Sequence, residues 1–144
     1  MIRILIADDH AIVRAGLQQF IADQPDMQVA GEAATGSEAV ALVRGGEFDV
    51  VLLDISMPDR NGIDTLKTLK QLRPTLPVLM LSGFAEDQYA VNLLRGGASG
   101  YLNKEAASTQ LVGAIRTVVR GRKFVSPALA QILADGVTGD AERP

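Results

Sequence analysis

The sequence predicts an α/β fold in which a parallel five-stranded sheet is covered by helices on both faces. Five short apolar runs bounded by turn residues alternate with stretches of helical period along most of the chain. Several runs are apolar without interruption, as strands buried on both faces must be. The length, 144 residues, is that of one ordinary domain, able to bury about 70% of the unfolded chain's surface in a single core.

The first strand spans residues 2–7 and runs straight into Asp8 and Asp9, a flank and a length that exclude a signal peptide. Ile12, Val13, Gly16, Leu17, Phe20 and Ile21 then form one stripe of an amphipathic helix. Residues 27–33 make a second strand, less apolar than the first, and residues 37–43 a helix started by Gly36 and Ser37 and stopped by Gly45 and Gly46. A third strand over 49–53 leads to Asp54, and Asn61 with Gly62 starts a helix over 63–72. A fourth strand at 77–81 precedes a helix over 86–94, closed by Gly96 and Gly97. The fifth strand, 100–102, is followed by a stripe of Leu111, Val112, Ile115, Val118 and Val119. These units occupy residues 1–121. After Gly121, Ser126 as N-cap and Pro127 at the first helical position announce an extra helix within residues 122–135. Residues 136–144 carry only Val and Ala as apolar members and are expected to be a mobile tail or linker.

Composition removes several functions. With 47% hydrophobic and 22% charged residues and a net charge of −3, the chain has no basic excess to hold a polyanion, so nucleic-acid binding by this chain alone is not expected. It has no cysteine, which excludes disulfides, thiolate metal sites and thiol catalysis and is compatible with a cytoplasmic setting. No apolar run approaches the ~18 residues of a membrane span, so no membrane association is expected.

Right-handed crossovers bring the carboxyl ends of all strands to one edge of such a sheet, where ligands bind. Asp8 and Asp9 stand at the end of the first strand, Asp54 at the end of the third, Ser82 past the fourth and Lys104 past the fifth. Like charges about 4 Å apart repel by roughly 4 kcal/mol at the effective dielectric of a protein surface, so three converging carboxylates need a counter-charge. Mg²⁺ suits them: it takes one or two carboxylates, keeps waters and leaves positions for phosphate oxygens. A single imidazole, His10, and no thiolates argue against zinc. An aspartate is already ionised at neutral pH, but its attack on phosphorus requires the incoming negative charge to be neutralised, which a metal and Lys104 can do. With the Ser82 hydroxyl as a donor, the set contains the parts of phosphoryl transfer, and Asp54, on a central strand, is the most plausible acceptor.

The remaining residues have structural readings. His10 is a helix-start residue rather than a ligand, Met57 fills a gap, Pro58 fixes φ, and Tyr101 is a strand residue with its ring partly buried. Arg116, Arg120, Arg122 and Lys123 are solvated cations at a helix end, where they suit the macrodipole.

The ordered set of Asp8-Asp9 after a first strand, Asp54-Ile-Ser-Met-Pro58 followed by Gly62, Ser82-Gly83 and Lys104 resembles the receiver domains of bacterial two-component response regulators. Ala7-Asp-Asp-His10, Gly100-Tyr-Leu-Asn-Lys-Glu-Ala106 and Phe124-Val-Ser-Pro127 are similar to the NarL/FixJ subfamily, whose receivers precede a LuxR-type helix-turn-helix output domain. The resemblance implies a flavodoxin-like (CheY-like) doubly wound sheet of order 2-1-3-4-5. It makes Asp54 the phosphoacceptor for a partner histidine kinase. It assigns Mg²⁺ to the side chains of Asp9 and Asp54 and the backbone carbonyl of Ser56, with Asp8 acting mainly through water. Ser82 and Lys104 would contact the phosphoryl group, and Tyr101 would change rotamer as Ser82 moves. Homodimerisation on phosphorylation follows as a family expectation. Many receivers have Pro after the lysine, whereas Glu105 follows Lys104 here, so no cis-proline is inferred. The extra helix and polar tail resemble the start of an interdomain linker, so the chain reads as an excised receiver whose DNA-binding output domain is absent, the alternative being a protein that acts through its receiver alone.

Three rivals fit less well. A phosphatase of the haloacid dehalogenase type needs Asp-x-Asp at the first strand, and here the aspartates are adjacent. A flavodoxin-like electron carrier needs a first loop that cradles a flavin phosphate, which Asp8 and Asp9 would repel. A pseudo-receiver, an interaction module that never takes phosphate, is opposed by the complete residue set.

Overall fold

The computed structural model describes residues 1–59, 61–83 and 88–142. Five βα units follow in chain order: β1 Ile2–Ala7, α1 Ala11–Ala22, β2 Met27–Ala33, α2 Gly36–Gly45, β3 Val50–Asp54, α3 Gly62–Leu72, β4 Val78–Ser82, α4 Gln88–Arg95, β5 Gly100–Asn103 and α5 Ala107–Val119. A single 3₁₀ turn, Lys104–Ala106, joins β5 to α5, and α6 Pro127–Glu142 is appended. The sheet is parallel throughout with order β2-β1-β3-β4-β5, so the fold is the doubly wound receiver type.

The uninterrupted apolar runs divide by parity into two cores, because successive side chains of a strand point to opposite faces. Leu5, Ala7, Val51, Leu53, Val78 and Met80 pack with residues of α2, α3, α4 and α6. Ile4, Ile6, Val50, Leu52, Leu79 and Leu81 pack with α1 and α5 on the other face.

Several element ends differ from the sequence expectation. β3 and β4 each start and finish one residue later than expected, so Asp54 and Ser82 are the last residues of their strands. Pro77 has no amide to give to the ladder, and the Asp49 side chain instead accepts from the Arg3 amide at 2.8 Å. The N-cap of α2 is Thr35 rather than Gly36 or Ser37. Its hydroxyl accepts from Glu38 N at 3.1 Å while the Glu38 carboxylate accepts from Ala34 N at 3.1 Å, a reciprocal arrangement that satisfies two orphan amides. The expected start of the fourth helix, near 86, lies outside the described residues. Ile12 does not join the core stripe: it is 88% exposed. The buried set on α1 runs through Leu17 and Ile21, and Ile12 lies one residue, about 100° of helix, round from Val13.

The largest difference is at the end. Ser126 and Pro127 start α6 as expected, with Ser126 Oγ accepting from Leu129 N at 3.0 Å. The helix then continues through the segment expected as tail, to Glu142. Its start is anchored, because Leu129 is fully buried in the same core as α4 and Tyr101, and an anchored first turn supplies the nucleus that is the costly step of helix formation. The chain reaches α6 along the edge of β5. Phe124 N donates to Ser99 O at 2.9 Å and Tyr101 N donates to Phe124 O at 3.2 Å. Gly100 makes that approach possible, since a Cβ there would stand 2.7 Å from the Phe124 carbonyl oxygen.

Candidate functional site

β1 and β3 are neighbours in the sheet, but the chain leaves β1 for one edge and returns from β2 to the other side. The connections therefore diverge at the carboxyl ends of β1 and β3, leaving a mouth there. Asp8 follows the last residue of β1, Asp54 ends β3, Ser82 ends β4, and Lys104 follows β5. Asp54 pairs in register with Leu81, which places Ser82 one residue beyond it on the adjacent strand.

Asp8 is completely buried and Asp54 is 3% exposed. Ligand atoms of Asp8, Asp9, His10 and Asp54 all lie within 4.8 Å of one another. Lys104 Nζ is 2.8 Å from Asp8 Oδ2 and 3.2 Å from Asp54 Oδ1, so one ammonium bridges the carboxylates of two strands. Asp54 Oδ1 also accepts from Ser56 N at 3.3 Å. Asp54 Oδ2 is buried with no hydrogen-bond partner among the described residues. Burial, and then the Asp8 charge, push the Asp54 carboxyl above its ordinary pKa despite Lys104. Burial pulls the Lys104 ammonium down, but the Asp8 hydrogen bond and the charges of Asp54 and Asp8 leave it above its ordinary value. An unpartnered buried carboxylate oxygen beside two further carboxylates fits a hard divalent cation, and the cluster is compatible with the metal site of a receiver.

His10 stands at the start of α1, as expected, and its ring also joins the cluster. Nδ1 is 3.2 Å from Asp8 Oδ1 and 3.1 Å from Asp9 Oδ1. Met57 is buried in the core as a gap-filler. Ser56 is exposed, held by a bridge to Asn61 across the loop after β3. Tyr101 is buried outright rather than partly, because α4 and the Leu129 turn of α6 share its core. Of the cations at the end of α5, Arg116 pairs with Asp26 and Gln24, and Lys123 Nζ donates to Ala98 O at 2.8 Å.

Two residues that sequence reasoning passed over hold the loops of the site. Asp59 reaches across from the loop after β3 to the start of α2, accepting from Gly36 N at 2.9 Å and Ser37 N at 3.0 Å. Hydrogen bonding from Ser37, joined by the Gly36 amide, outweighs desolvation and takes its carboxyl down to about 2. Arg14, on the first turns of α1, donates from Nη1 to the Asp8 carbonyl at 2.6 Å and from Nε to Glu32 Oε1 at 3.2 Å. Neither pairing leaves a local pattern in the sequence, because each depends on where a loop is carried by the fold.

A doubly wound sheet with acidic residues at its first and third strand ends and a lysine after its fifth defines a class of signalling domain, and comparison with known proteins agrees. Residues 4–116 match the response regulator receiver domain, and the chain belongs to that family. It is 39% identical over 134 residues to "Response regulator GacA" of Pseudomonas viridiflava, covering 93% of this chain and 63% of that one. It is 36% identical over 134 residues to "Response regulator UvrY" of Escherichia coli K12, covering 93% and 62% respectively. The chain thus spans somewhat under two thirds of these relatives. Among solved structures, a two-component response regulator of the LuxR family from Aurantimonas sp. SI85-9A1 superposes with a TM-score of 0.86 at 33% identity, covering 94% of this chain and 97% of that one. These relatives support the NarL/FixJ, LuxR-type subfamily. No helix among the described residues is long and apolar enough to cross a membrane.

Proposed function

We propose that this chain is a phosphorylation-switched receiver in which Asp54 takes a phosphoryl group from a sensor histidine kinase, with Mg²⁺ as cofactor. The observation that supports it most directly is the bridge of Lys104 between Asp8 and Asp54, beside the unpartnered Asp54 Oδ2. Asp54 attacks phosphorus, the bond from phosphorus to the donor's imidazole nitrogen breaks, the imidazole leaves as base, and an acyl phosphate forms on the carboxylate. Asp9, Asp54 and the Ser56 carbonyl would hold Mg²⁺, with Asp8 acting through water, and the ion would neutralise charge on the transferring group. Lys104 exchanges part of its contact with Asp54 for a phosphoryl oxygen, and Ser82 donates its hydroxyl to another. The chain catalyses only its own modification and its slow hydrolysis.

Phosphorylation adds charge and acceptor oxygens at the carboxyl end of β3. Ser82 and Tyr101, on adjacent strands, carry the change toward α4, β5 and α5, and a dimer is its output. In a longer protein this switch would regulate transcription through a LuxR-type DNA-binding domain in the cytoplasm. The test is intact-protein mass after incubation with Mg²⁺ and a small acyl phosphate, beside Asp54→Ala and a magnesium-free control. One phosphoryl gain absent from both controls is expected. No gain in a protein shown separately to bind Mg²⁺ would replace this reading by a pseudo-receiver. Light scattering with and without phosphorylation tests the dimer, and an unchanged mass would count against it.

A further inference from the structure

We infer that Arg14 is a positioning residue for the metal site, acting through the backbone of Asp8; the inference rests on the receiver reading above. Asp8 lies one residue beyond the last paired position of β1, so its carbonyl is outside the ladder registers that fix Ile2 to Ala7. The amide of Asp8 is held by Ala33 O at 3.0 Å. Its carboxylate Oδ1 accepts from His10 N at 2.8 Å. The carbonyl is held by Arg14 Nη1 at 2.6 Å. The peptide unit is planar, so a fixed Asp8 carbonyl also fixes the Asp9 amide and Cα, and with them the point from which the Asp9 side chain leaves the chain.

Arg14 can do this because its guanidinium is aimed from two sides. Nε is tied to Glu32 on β2 while Nη1 reaches the loop, and the side chain is only 19% exposed. A guanidinium donates along fixed, coplanar directions, whereas a lysine ammonium is one flexible point charge and cannot hold both acceptors in that relation. The fork therefore links the edge strand, the first turns of α1 and the loop that presents two of the three carboxylates.

Calorimetric titration of Mg²⁺ into the unphosphorylated protein separates this role from simple charge and from the exposed ion pair. Asp9→Asn serves as the reference for loss of the site, and circular dichroism verifies the fold of each variant. Arg14→Met and Arg14→Lys are both expected to weaken Mg²⁺ binding by about tenfold, the usual effect of removing a group that orients a ligand. Glu32→Gln, which removes the charge of the pair but keeps an amide oxygen to accept from Nε and so keeps the guanidinium aimed at Asp8, is expected to stay within about twofold of wild type by the same comparison. For Arg14→Lys the Mg²⁺ concentration giving half-maximal phosphorylation should rise while the rate at saturating Mg²⁺ returns to that of wild type. Wild-type affinity in Arg14→Lys would show that charge suffices and overturn the inference, as would unchanged affinity in Arg14→Met. A wild-type protein that takes up no Mg²⁺ would overturn the receiver reading itself, and this inference with it.

Discussion

Gly62 offers the sharpest test of how the loop after Asp54 is built. It is the first residue of α3, its amide donates to Ile55 O at 2.8 Å, and Ser56 and Asn61 form a bridge just inside that bond. A Cβ on Gly62 would stand 2.9 Å from Ile55 Cα and 3.0 Å from Ile55 O. Both are backbone atoms that cannot rotate aside, so Gly62→Ala must push Ile55 and Ser56 away from the helix. Alanine brings up to about 1 kcal/mol of helix propensity, against a cost of roughly 1–3 kcal/mol for forcing atoms into a filled space. The net expectation is a loss of about 1–2 kcal/mol, or roughly 3–8 °C in Tm for a domain of this size. Gly113→Ala is the matched control: the residue is exposed within α5 and a Cβ there meets nothing within 4 Å. That substitution should stabilise by about 0.4–1 kcal/mol. Thermal unfolding followed by circular dichroism reads both, and Mg²⁺ titration should show weakened binding in Gly62→Ala alone, because the Ser56 carbonyl moves with its loop. Wild-type stability and wild-type Mg²⁺ affinity in Gly62→Ala, with Gly113→Ala behaving as stated, would refute the reasoning.

The remaining predictions concern the charges. Because the Asp54 pKa is raised in the fold, the native state holds that proton more tightly than the unfolded chain, so this group costs stability above its folded pKa and the cost falls away as pH drops toward 3.8. Asp54→Asn should therefore be more stable than wild type near neutrality, with the gap narrowing on acidification; a gap that widens in acid contradicts the sign. The same proton competes with metal, so Mg²⁺ affinity should begin to fall at a pH above the ordinary carboxylate range, and a titration flat down to pH 4 would contradict it. Lys104→Ala should still bind Mg²⁺ but lose roughly a hundredfold in phosphorylation rate, the scale of removing one aimed donor. Unchanged phosphorylation together with an unchanged conformational response would remove Lys104 from its assigned role.

Asp8, Asp9, Asp54, Ser82 and Lys104 were legible because each sits at a strand end, and strand ends are marked by local contrast: an apolar run stops and a polar residue follows. The order of the strands needed the family resemblance, since alternation alone does not say which strands are neighbours. Arg14 and Asp59 were not legible. Their acceptor and donors are backbone groups, which no residue type announces, and the Asp59 contact spans 22 and 23 positions of chain. Ile12 reads in sequence as part of the buried stripe, because an apolar residue one step off a helical stripe looks like part of it. The full burial of Tyr101 has no local signature in the sequence, because it depends on Leu129 and α4, one of which lies beyond the five βα units.

The segment leading to α6 also governs what shortened versions of this protein would do. A parallel sheet of five strands exposes two rims of unpaired amides and carbonyls, and such rims recruit strands from other molecules. Phe124 occupies part of the β5 rim through its own backbone, and α6 lies against α4 on the same side. A fragment ending at Gly121 would uncover that rim together with the apolar wall around Leu129's seat. Such a fragment would be prone to stick to itself whether or not Asp54 carries phosphate, and its aggregation would be an artefact of the cut rather than a signalling state.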